Sequence, residues 1–139
     1  MLTVSVNYLA VLVAAIVAMV IGGLWYSPML FGNIWMRLSG LSGKDMKKAK
    51  EKGMAKSYLL TFIGSLVAAC VLATLLGMIG ATNLTQALQL ACLLWVGFFV
   101  TSALSSVLWE GKPWALYLIN VLCHLVTLIV TALILVSWP

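Results

Sequence analysis

The sequence predicts an all-α integral membrane protein: a four-helix bundle with a short interfacial helix and a basic cytoplasmic loop between its first two spans. Three observations predict it. Of 139 residues, 64% are hydrophobic and only 8% charged, against roughly 25% charged in soluble domains. The eight basic and three acidic residues lie in two segments, Arg37–Lys56 and Glu110–Lys112, so Met1–Met36, Ser57–Trp109 and Pro113–Pro139 are free of charge. A charge at mid-bilayer is strongly disfavoured, and charges gather in loops. Finally, Val11–Ile21 and Ser65–Leu76 lack the apolar–polar alternation of a membrane β-barrel.

A span needs about 20 apolar residues. One domain, 1–139, accommodates four, at about 4–26, 57–79, 84–108 and 113–136. The middle block would be about 80 Å long as one helix, far beyond a ~30 Å hydrocarbon core. It must fold back, and Gly77–Asn83 supplies the break. The first span has no basic leader, and Trp25-Tyr26 stands where small residues should precede a cleavage site, so it reads as a retained helix. Pro28 ends it, because the residue before a proline avoids helical geometry. In Met29–Leu38, Leu30, Ile34 and Leu38 share a face opposite Asn33 and Arg37, the pattern of a helix lying in the interface. Ser42 with Asp45 resembles a helix start, and Asn83 with Gln86 a capping box for the third span. Pro113 suits the first turn of the fourth.

Basic residues occur only in the first and third loops, which places those loops in the cytoplasm and both termini outside. Aromatic residues agree: Tyr8 and Trp138 mark the outer interface, and Trp25, Tyr26, Trp35, Tyr58, Trp109, Trp114 and Tyr117 the inner one. Trp95 is the exception, near mid-depth. The net charge of +5 arises from that basic loop and calls for no nucleic acid. The loop either follows from topology alone or uses Lys44, Lys47, Lys48 and Lys52 to contact lipid head groups. Cys70, Cys92 and Cys123 fall inside spans without metal-ligand spacing, as small apolar residues do.

The first two spans carry packing stripes. Ala10, Ala14, Ala18 and Gly22 form one; Ser65, Ala69 and Ala73 belong to another that starts at Ser57 and Thr61. Small residues at this spacing let backbones approach closely. The fourth span carries a polar stripe: Tyr117, Asn120, His124, Thr127 and Thr131 recur at steps of three or four. His124 is the only histidine, a side chain that changes charge near neutral pH. Ser102, Ser105 and Ser106 lie at matching depth on the third span, with Glu110 at its inner end. Two readings stand. The stripe is a passage or site for a small solute or ion, or its groups are interhelical glue worth ~0.6 kcal/mol a bond. The serines either face that stripe or bond their own helix. Glu110 either pairs with Lys112 or the basic loop, or acts as a gate.

Asn7-Tyr8, the run Gly23-Leu-Trp25-Tyr26-Ser27-Pro28 with Phe31-Gly32 and Trp35, and Glu110-Gly111 leading to Tyr117-Leu-Ile-Asn120 and His124 resemble the bacterial membrane family called domain of unknown function 1761. The resemblance spans nearly the whole chain. It implies a four-span membrane protein and carries no activity, cofactor or catalytic residue.

The residues therefore point to a small inner-membrane protein that forms a homo-oligomer and offers a polar intramembrane passage or binding site. The alternatives are a scaffold or partner subunit with a lipid-contacting basic loop, and a membrane enzyme acting on a lipid. Catalytic spacing motifs are missing from the sequence, and no cofactor or metal is implied.

Overall fold

A computed structural model describes residues 4–40, 44, 47, 48, 51 and 53–138. Five helices form its frame: α1 (Tyr8–Trp25), α2 (Gly32–Ser39), α3 (Ala55–Met78), α4 (Leu84–Leu108) and α5 (Trp114–Ser137). All but α2 are long and apolar enough to cross a membrane. Lys44, Lys47, Lys48 and Glu51 are helical and exposed. The Ser42–Asp45 helix start and Lys52 lie outside the described residues.

Local chemistry sets the ends. α1 begins four residues later than the expected span because Asn7 caps it. The Asn7 Oδ1 accepts from the Leu9 and Ala10 amides at 3.1 and 3.3 Å, satisfying two of the donors that a helix start leaves open. α3 ends where Gly80 takes φ +67° and the Ala81 amide donates to Leu76 O at 2.9 Å, a glycine-closed helix end. The Asn83 Oδ1 accepts from the Gln86 amide at 2.9 Å, and Gln86 Oε1 accepts from the Thr82 amide at 2.8 Å. Pro113 sits just before α5, at its cap position rather than in its first turn.

α5 is the central post: α1, α3 and α4 all pack on it, and α1 also packs on α3. In lipid no hydrophobic effect pulls helices together, so close backbone approach does. Ala10 and Ala14 on α1 and Ala69 on α3 are buried, and so are Ala87 and Ala91 on α4 and Ala132 on α5. Ala73 is half-buried beside that core. The C-terminal half of the α1 stripe differs. Gly22 is half-buried, and a Cβ there would meet nothing within 4 Å. α3 and α4 hardly touch each other, which leaves a cleft between them.

Candidate functional site

Towards the end of the bundle where α1 turns into α2, four side-chain donors tie α5 to its neighbours. Trp25 Nε1 donates to Ile119 O at 3.0 Å, and the Tyr26 hydroxyl to Asn120 Oδ1 at 2.7 Å. From the other side, Trp95 Nε1 donates to Val121 O at 2.6 Å. The Tyr117 hydroxyl donates back to Val100 O at 2.8 Å. Helix carbonyls keep a second lone pair to accept such donors, and midway along α4 the Trp95 indole has little water to turn to.

The Trp-Tyr-Ser-Pro run builds this clasp. The Ser27 hydroxyl donates to Leu24 O at 2.7 Å, the Phe31 amide to Trp25 O at 3.0 Å and the Gly32 amide to Ser27 O at 2.9 Å. The turn delays α2 until Gly32, three residues after Met29. It stacks Phe31 on Trp25, with ring centroids 4.8 Å apart, and sets Trp35 edge-on to Tyr26 at 5.7 Å. Gly32 is buried, and a Cβ there would run into the backbone of Tyr26 and Ser27. Only glycine fits that close approach.

In α4, Trp95–Val100 forms a π-helical segment. A π turn is one residue wider than an α turn and disturbs the regular carbonyl pairing. Its two ends are the residues bonded to α5: the Trp95 indole and the Val100 carbonyl. The segment carries Phe99 against His124, with ring centroids 4.8 Å apart and planes tilted by 32°.

His124 lies on the floor of the α3–α4 cleft. The cavity there measures about 270 Å³, with Ser65, Ala68 and Ala69 on one wall, Phe99 on the other and Ala18 behind. Thr127 and Thr131 continue the floor. The Thr127 and Thr61 hydroxyls donate to carbonyls one turn back, Cys123 O and Ser57 O, each at 2.8 Å. They keep acceptor capacity towards the cavity. His124, Ser65 and Thr131 make no side-chain hydrogen bond to any described residue. Further out the cleft becomes apolar, lined by Val71, Leu75, Leu94 and Phe98.

The expected site residues thus divide. Tyr117 and Asn120 belong to the clasp and do not line the cleft. Ser105 and Ser106 donate to carbonyls of their own helix, Ser102 O at 3.1 Å and Ala103 O at 2.8 Å. Ser102 and Glu110 are exposed, and Glu110 forms no ion pair with a described residue. Of the expected stripe, His124, Thr127 and Thr131 meet the cleft, with Ser65, Ala69 and Ala18 from the packing stripes beside them. Phe99, Thr61 and the clasp role of Trp95 escaped sequence reasoning. A mid-depth tryptophan was the signal for the last. No group of metal-ligating side chains occurs among the described residues.

A family model described as "protein of unknown function (DUF1761)" matches residues 9–136. Comparison with curated proteins and with solved structures gives no match.

Proposed function

The chain belongs to the DUF1761 family, and we propose that it is an oligomeric protein of the bacterial inner membrane whose α3–α4 cleft binds a small molecule arriving from the lipid. One observation carries this reading: an imidazole without a hydrogen-bond partner among the described residues, on the floor of a cleft inside the membrane-spanning region. A polar group in hydrocarbon is costly unless something answers it. Ser65 and Thr131 beside it add a donor and acceptors, and the outer cleft is apolar. The fitting ligand is a small neutral amphiphile with one hydrogen-bonding head. Tyr117 and Asn120, held in the clasp, argue for a side-opening site over a passage running the length of the α5 stripe.

A diazirine-bearing medium-chain alcohol tests this. It should label residues of the cleft, with Phe99 and Leu72 prominent. His124→Leu should lower that labelling on the order of tenfold, the value of one hydrogen bond, with thermal unfolding in detergent unchanged. His124→Gln should restore most of it. Labelling spread evenly over lipid-facing residues, or indifferent to His124→Leu, would sink the reading. A stability loss on His124→Leu with labelling intact would assign His124 to interhelical glue.

Orientation belongs to the same proposal. Lys44, Lys47 and Lys48, which follow α2 in the chain, are exposed, and suit anionic cytoplasmic head groups. A cysteine introduced by Lys48→Cys, with Cys70, Cys92 and Cys123 replaced, should resist a membrane-impermeant maleimide in intact cells and react after lysis. Labelling of intact cells would reverse the topology.

A further inference from the structure

α4 is the least buried span. Among its residues only Ala87 and Ala91 are buried, both on the side that meets α5. The opposite side carries Thr85, Gln89, Cys92 and Val96, at steps of four, three and four. Gln89 lies five residues past the helix start, about 7.5 Å along the axis. It is exposed, forms no hydrogen bond to a described residue, and lines a shallow surface groove with Cys92, Leu93 and Val96. Leu93 beside it is 71% exposed. A primary amide has two donors and a carbonyl acceptor, and lipid tails satisfy neither.

We infer that this face of α4 is where a second copy of the chain docks, through reciprocal hydrogen bonds between the two Gln89 amides. An amide is its own complement: each Oε1 accepts from the Nε2 of the other. Copies inserted in one membrane share an orientation. A two-fold axis along the membrane normal therefore sets α4 parallel to itself and brings Gln89 against Gln89 of the partner subunit. The four-three-four spacing is that of a left-handed seam crossing at about +20°. Acyl chains offer no such complement, and the axis places Cys92, one turn along, close to the same seam.

The inference rests on the oligomer of the proposed function and names its contact. Its test reads assembly and not cleft occupancy, so the two can fail separately. In native membranes, the full chain with Cys70→Ala and Cys123→Ala should cross-link through Cys92 to a species of twice the monomer mass. Gln89→Leu should weaken dimerisation on the order of tenfold on dilution into detergent, with the monomer still folded by circular dichroism. Gln89→Asn, which keeps the amide, should retain the cross-link. Ile63→Cys on α3, in a background also lacking Cys92, should give none. Absence of a Cys92 cross-link, an adduct of any mass other than twice the monomer, or a dimer indifferent to Gln89→Leu would each overturn the inference.

Discussion

Trp25→Ala should destabilise the protein by about 3 kcal/mol, lowering Tm in detergent more than any single hydrogen-bond deletion. The substitution removes a large half-buried ring packed on Phe31 together with the indole donor to Ile119 O, and the sum falls at the low end of the roughly 3–5 kcal/mol that truncating a core tryptophan costs. Two milder variants separate the contributions. Trp25→Phe keeps most of the ring and loses the donor, for about 1 kcal/mol. Tyr26→Phe and Asn120→Ala should each cost a similar amount and, combined, less than the sum, because they delete the two ends of one bond. Gly32→Ala should resemble Trp25→Ala through a different cause: the added methyl pushes the backbone of Tyr26 and Ser27 aside and opens the clasp. Melting of Trp25→Ala and Gly32→Ala within a degree of the unmodified protein would show that the clasp contributes little.

Ala14→Leu and Ala69→Leu should each destabilise by about 1–3 kcal/mol, whereas Leu12→Ala should change little. Ala14 is 0% and Ala69 3% exposed at the α1–α3 crossing, while Leu12 is 40% exposed and faces outward. Ordinary intuition from soluble proteins ranks these changes the other way, since Leu→Ala is the familiar damaging truncation. Here the leucine leaves one apolar solvent for another. The alanine marks where two backbones meet, and three added carbons force them apart. Ala132→Leu extends the test to α5. Equal unfolding temperatures for Ala14→Leu, Ala69→Leu and Leu12→Ala would remove the basis for the close-crossing account.

The spans were legible because the bilayer excludes charge, and that exclusion leaves a mark on every residue from Ser57 to Trp109. The cap of α4 was legible for a local reason: Asn83 need only reach three residues ahead. The clasp was half legible. Its turn residues stand together in sequence, but their partners on α5 lie 94 positions away, and a helix apolar on nearly all sides gives no period that says which neighbour it faces. That is why Asn120 and His124 read as one stripe although they serve different surroundings. The π segment had no local signal either, since Trp-Val-Gly-Phe-Phe-Val is ordinary membrane sequence. Its ends are the residues bonded to α5, so the cause is tertiary. The cleft is less legible still, for it arises where α3 and α4 do not pack.

The separation between Trp25 and Ile119 also sets a clock. Ribosomes add about 5–20 residues per second, so a donor made 94 positions before its acceptor waits roughly 5–20 s for that acceptor to be synthesised. Tyr26 waits equally long for Asn120. Through that interval α1 resides in the membrane with an indole and a phenol still lacking their final partners. Their place at the last turn of α1 and its cap makes the delay tolerable, because head groups and interfacial water supply interim hydrogen bonds there. The same two groups at mid-depth would have been stranded in hydrocarbon. The arrival of α5 then exchanges water for protein at two adjacent residues, and α1, made well before α5, is secured there only when α5 is in place.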